Sequence, residues 1–150
     1  MTIGAMRTRE VVTAGRETST AEAARLMRNA HVGDVVVVDE LDGRRIPRGI
    51  VTDRDIVVSV VAKGLDPETI SVGEIMAPGL AVGRQRDGVA HSIDVMREKG
   101  IRRLPIVDSQ GGLVGIVSID DLFAFLAMEI ASLAGVSGRE RHVEAELRSR

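Results

Sequence analysis

Gly49-Ile50-Val51-Thr52-Asp53-Arg54-Asp55 decides the fold, because it returns 66 positions later as Gly115-Ile116-Val117-Ser118-Ile119-Asp120-Asp121. Working outward, Val35-Val36-Val37-Val38-Asp39 matches Leu104-Pro105-Ile106-Val107-Asp108, and Met27-Arg28 matches Met96-Arg97, now at an offset of 69. The three-residue difference is an insertion in the first copy, within 40–48. A repeat of this length is too long for a solenoid unit and too short to build a large core alone, so the two copies are expected to pack against each other. Each copy ends with an apolar strand, a hydroxyl, two residues and a carboxylate.

Composition narrows the classes. A chain of 150 residues with 44% hydrophobic residues supplies a real core. Net charge of -2, no Trp, no Tyr and two Phe leave neither a basic field for a polyanion nor a stacking platform, so nucleic acid is not the expected partner. Without cysteine there is no disulfide, thiol chemistry or thiolate metal site. The start has no apolar stretch of signal-peptide length, and charges interrupt the chain too often for a membrane span, which reads as a cytoplasmic protein.

The order of elements follows from pattern and punctuation. Val11 to Thr13 is β-prone, Thr18-Ser19-Thr20 offers caps for a helix through Ala30, and Val35 to Val38 reads as a strand buried on both faces. Asp42-Gly43 and Pro47 punctuate a loop, Gly49 to Val51 forms the next strand, and a helix runs from Asp53 to about Lys63, ended by Gly64. The second copy repeats the order: a strand near Leu80 to Val82, a helix from Gly88 to Lys99, strands at Arg103 to Val107 and Leu113 to Val117, and a helix from Asp120 to about Leu133. The unit is β-α-β-β-α, twice, an α/β fold (α+β by some conventions). The expected divisions are repeat 1 at 7–66, a linker at 67–75, repeat 2 at 76–134 and, after breaks at Gly135 and Gly138, a charged tail at 135–150.

The repeated ending carries the candidate chemistry. A strand leading into a helix start presents free backbone N–H groups and the positive end of the helix dipole, which favour an anion such as phosphate. Arg54 adds a fork of donors suited to phosphate oxygens, and Asp55 can accept both hydrogen bonds of a ribose diol. Thr52-x-x-Asp55 and Ser118-x-x-Asp121 are equally acceptable as capping boxes, in which hydroxyl and carboxylate only satisfy the helix start. The second copy has Ile119-Asp120 where the first has Asp53-Arg54, so two sites need not be equal. His31, His91 and His142 lack metal-ligand spacing and belong to no nucleophile set, so no catalytic or metal residues are assigned.

With these residues in view the chain resembles the CBS-domain family, in tandem as a Bateman module, over about residues 7–134. Thr52-Asp53-Arg54-Asp55-Ile56-Val57, followed by Lys63-Gly64-Leu65-Asp66-Pro67, is also similar to short stand-alone bacterial members, including hypoxia- and stress-response types. The resemblance implies a regulatory module that binds AMP, ADP, ATP or a related adenosyl compound between its repeats, with no cofactor and no chemistry of its own. Ribose would rest on the motif Asp, and Val12, Val36, Ile50, Val82, Pro105 and Ile116 would supply an aliphatic slot for the base. It further implies a phosphate contact from Arg103, just before the Leu-Pro strand, where the first copy has Gly33-Asp34. The alternatives are a ligand-independent interaction module and, less suited to these residues, a nucleotide hydrolase. The resemblance also implies a homodimer, a flat disc of four repeats. The apolar run Leu122, Phe123, Phe125, Leu126, Met128, Ile130 and Leu133 supports it, since it covers more than one helix face. An effector protein remains open as a further partner.

Overall fold

The computed structural model describes residues 1–8 and 10–148. It divides into two units, Met1–Val117 and Ser118–Arg150. In the first unit lie two sheets of three strands. One has the order β1-β2-β3, from Thr13–Gly15, Asp34–Leu41 and Arg44–Thr52; the other is β4-β5-β6, from Gly83–Arg84, Arg103–Val107 and Leu113–Ser118, whose last residue opens the second unit. The β-α-β-β-α order therefore stands in both copies.

Each first strand begins later than its apolar residues suggest. β1 pairs in parallel from Thr13 with Val36, and β4 from Gly83 with Ile106. Val11 and Val12 come before the ladder and are apolar because they pack, Val12 against the core of repeat 1 and Val11 against a shared cluster. Val82, expected in a strand, precedes β4 and is 40% exposed. Burial and pairing leave the same mark on sequence here, and only pairing makes a strand.

Helix α2 (Thr20–Ala30) starts at Ser19, whose side chain accepts from the Glu22 N–H at 3.1 Å, and ends on His31 in the left-handed region. Its Ala23 and Met27 enter a core with Val35, Val37, Val51, Ile56 and Val60. Helix α5 (Val89–Lys99) ends on Gly100, also left-handed. The three-residue insertion lengthens the β2–β3 hairpin: Asp42 and Gly43 both take positive φ at its tip. Pro47 lies inside β3, where a register irregularity between Val37 and Val38 accommodates it. The cluster of Val36, Val38 and Leu113, with Val11, Ile50 and Ile116 against it, joins the two sheets.

The helix expected from Asp53 to Lys63 is corrected by the structure. It is four α-helical residues, α3 (Asp53–Ile56), followed by a π-helical stretch, Val57–Val61. The stretch Val57-Val58-Ser59-Val60-Val61 explains the change, since stacked β-branched side chains crowd the preceding turn of an α-helix.

Two short helices escaped the sequence reading: α1 (Ile3–Met6) and α4 (Val72–Ile75), the latter within the expected linker. Each docks on the turn that follows the other repeat's first strand. The Ile3 and Gly4 N–H groups donate to Asp87 O and Gln85 O at 2.8 and 3.1 Å, and those of Val72 and Gly73 donate to Thr18 O and Arg16 O at 2.8 and 2.9 Å. All four pairs obey the 69-residue offset, so the exchange is symmetric. Glycine is required at both docking points: a Cβ on Gly4 would lie 2.5 Å from Gln85 O, and one on Gly73 would lie 2.9 Å from Arg16 O. The signal was present, as Thr2-Ile3-Gly4 against Ser71-Val72-Gly73.

The second unit holds one helix, α6 (Ile119–Arg148). The expected end near Leu133, with breaks at Gly135 and Gly138, is overturned. An exposed helical glycine costs only about 1 kcal/mol relative to Ala, and the surrounding Ala, Glu, Arg and Leu favour helix. Pairs one turn apart, His142–Glu146 and Arg148–Glu144, add to this. Phe123, Met128, Ile130 and Leu133 are all exposed along it. Among the described residues no helix is long and apolar enough to cross a membrane.

Candidate functional site

A cleft of about 580 Å³ lies in the first unit, where the end of β3 meets the start of α3. Ile50, Thr52, Asp53, Arg54 and Asp55 form one wall. The other is made by Ala77-Pro78-Gly79-Leu80-Ala81, which leads toward β4, and by Lys99-Gly100-Ile101-Arg102-Arg103, the turn from α5 into β5. Repeat 1 thus brings carboxylates and one arginine, and repeat 2 brings three cations.

The capping box at α3 is fully formed. Thr52 N–H and Oγ1 both donate to Asp55 Oδ2 at 2.8 Å, and Asp55 N–H donates to Thr52 Oγ1 at 3.1 Å. Both bonds to the carboxylate fall on Oδ2, so the box does not use Oδ1. Capping and ligand binding are therefore compatible in one residue. The Arg54 guanidinium forms no ion pair among the described residues; its backbone N–H donates to Asp53 Oδ1 at 2.7 Å.

Arg103 is differently committed. Its Nε lies 2.5 Å from Asp34 Oδ1, at the start of β2. Burial pushes the Asp34 carboxyl above its ordinary value; Arg103 opposes that rise and the nearby Asp53 adds to it. An ion pair usually lowers a carboxyl, but here the loss of solvent outweighs the partner, consistent with a side chain only 15% exposed.

Of the residues expected to bind ligand, the cleft gathers Ile50, Thr52, Arg54, Asp55 and Arg103. Val36 is fully buried in the cluster that joins the sheets, with Ile116 packed against it, so both are engaged in packing. Val12 belongs with the repeat 1 core, Pro105 is buried within β5, and Val82 stands just before β4. None of these five lines the cleft. Ser118 and Asp121 belong to the second unit, where they close a box of the same form: Ser118 N–H and Oγ donate to Asp121 Oδ2 at 2.7 Å.

The sequence reading passed over Asp53, Lys99 and the 77–81 segment as site residues. A charge comparison would have found Lys99: Lys99-Gly100-Ile101-Arg102-Arg103 stands where the first copy has Ala30-His31-Val32-Gly33-Asp34. Among the described residues no three His, Cys, Asp or Glu side chains are grouped to hold a metal ion.

A model of the CBS domain matches residues 3–62 and 72–128. An uncharacterized protein of Methanopyrus kandleri, MK0525, is 37% identical over 122 residues, spanning 81% of this chain but 61% of that protein. Hypoxic response protein 1 of Mycobacterium tuberculosis is 34% identical over 120 residues, 76% of this chain and 80% of the relative. The crystal structure of Hypoxic Response Protein I with two coordinated zinc ions superimposes with a TM-score of 0.72 at 30% identity, over 83% of this chain and 98% of that one. The cytosolic domain of the Mg2+ channel MgtE, in complex with ATP, gives a TM-score of 0.69 at 31% identity, over 83% of this chain and 48% of that one.

Proposed function

The chain belongs to the CBS-domain family, and from that premise we propose that its cleft binds an adenosyl nucleotide of the AMP, ADP or ATP type, whose occupancy is a regulatory signal. The observation that carries this reading is the convergence, in one cleft, of Asp55 and Arg54 from repeat 1 with Lys99, Arg102 and Arg103 from repeat 2. A carboxylate for a ribose diol beside a set of cations is what a nucleoside phosphate requires. The likeness to an ATP-bound domain supports it. Nothing in the cleft activates a nucleophile, so the role is binding, and a ligand shifts an arrangement only by its differential affinity for the alternatives.

Calorimetric titration with AMP, ADP, ATP, S-adenosylmethionine and NAD tests the proposal. Saturable binding of at least one, at one site per chain or more, is the expected result. Silence across the panel would overturn it and favour the second reading, a ligand-independent interaction module. The fully formed capping boxes supply that reading's motive.

Arg54 offers a sharper test of how the ligand lies. Arg54→Ala should weaken AMP by about 1.5 kcal/mol while leaving adenosine within about 0.5 kcal/mol, because only AMP carries the group that a guanidinium holds. Equal losses for the two ligands would remove Arg54 from the phosphate role.

We place the protein in the cytoplasm as a homodimer, with an effector protein as a possible further partner. The exposed Phe123, Met128, Ile130 and Leu133 of α6, together with Val57, Val58 and Val61, are apolar surface that pairing would cover. Light scattering at micromolar protein should return twice the monomer mass, and Met128→Glu should lower it. A folded monomer at those concentrations would reject the dimer.

A further inference from the structure

Two of the arginines of the cleft differ in one respect: Arg54 has no acidic partner among the described residues, whereas Arg103 is already held by a carboxylate of the other repeat. Asp34 occupies the position that corresponds, 69 residues back, to Arg103 itself. Gly33 lets the groups close in, since a Cβ there would lie 3.3 Å from Asp53 Oδ2 and 3.5 Å from Arg103 Nη2. Its carbonyl accepts from the Asp53 N–H at 3.0 Å. Asp34 is also paired in the ladder with Thr52, the residue that caps α3. One guanidinium is therefore tied to the strand end that feeds the ribose-binding carboxylate.

We propose that Asp34 is an internal competitor for Arg103, an acidic latch that an anionic ligand must displace before repeat 2 can grip it. This rests on the reading of the cleft as a nucleotide site. A phosphate and a carboxylate seek the same planar donors, and the fork cannot serve both through Nε. Displacement leaves a buried carboxylate without its partner, which is costly. The latch sets a threshold on anionic ligands and leaves the neutral nucleoside untouched, so it governs which members of a nucleotide series fill the site.

The test is a titration of AMP and of adenosine into the parent chain, Asp34→Asn, Arg103→Gln and the double variant. Asp34→Asn should tighten AMP about tenfold and change adenosine by less than about twofold, as expected when a charge-assisted competitor is removed. In the Arg103→Gln background the same substitution should leave AMP unchanged. The isosteric amide removes a buried charge, so its melting temperature should equal or exceed that of the parent; Asp34→Ser repeats the experiment should the amide perturb the strand. If the parent binds both ligands while Asp34→Asn leaves AMP the same or weaker, Asp34 orients Arg103 and the latch is rejected with the nucleotide reading intact. If no chain binds either ligand, both fall together. A parent that binds neither, beside an Asp34→Asn chain that takes AMP, would support the latch.

Discussion

Asp55→Ala should weaken adenosyl-ligand binding roughly 10- to 150-fold, the equivalent of about 1.5–3 kcal/mol for a hydrogen bond to a charged acceptor. The same change opens the capping box at Thr52, at a cost to stability of about 1 kcal/mol. Affinity should thus fall further than stability. Asp55→Asn separates the two roles, because its amide oxygen can still accept from Thr52 while its amide nitrogen cannot accept from a ribose hydroxyl. Calorimetry beside thermal melting reads both quantities. Parental affinity in either variant, with only the melting temperature lowered, would reduce Asp55 to a cap.

Gly4→Val and Gly73→Val should each cost about 2–4 kcal/mol of stability, the range for forcing side-chain volume into a closed contact and losing hydrogen bonds made there. The obstacle in both cases is a backbone oxygen of the turn that follows the first strand, which cannot rotate away as a side chain would. The Gly4 contact is the closer, so its variant should be the worse. For a chain of this size the melting point should fall by about 5–15 °C. Gly138→Ala is the internal control: nothing lies within 4 Å of its added Cβ and the site is helical, so stability should hold or rise by about 0.5–1 kcal/mol. Melting temperatures of the Gly4 and Gly73 variants matching the parent's would show that the short helices are not needed to hold the fold.

The repeat made the architecture legible. Once Gly49 to Asp55 is aligned with Gly115 to Asp121, the strands and helices of one copy are checked by the other, and the β-α-β-β-α order stands. Local composition misled where one cause was mistaken for another. Val11 and Val82 are apolar without being paired, and Gly135 and Gly138 sit in a helix that their neighbours sustain. The site was legible on the motif side, where Thr52, Arg54 and Asp55 are adjacent in sequence. Its opposite wall depends on how the turn after α5 comes across to repeat 1, and periodicity does not report that. Lys99 was within reach as a break in the charge symmetry of the repeats, whereas the Asp34–Arg103 pair forms only once the fold brings the two repeats together.

The exchanged helices bear on how the chain comes off the ribosome. Residues 1–8 are made before repeat 1, yet their hydrogen-bonding partners, Gln85, Asp87 and Ile116, are made after it. Repeat 1 in turn waits for Val72 and Gly73 to close its own edge. During synthesis, which proceeds at about 5–20 residues per second, this segment is therefore held without a home for several seconds. Helix α1 is made before repeat 1 yet is placed after it, and a released chain that stops at residue 80 should remain open to protease at 1–8 while 10–76 is already protected.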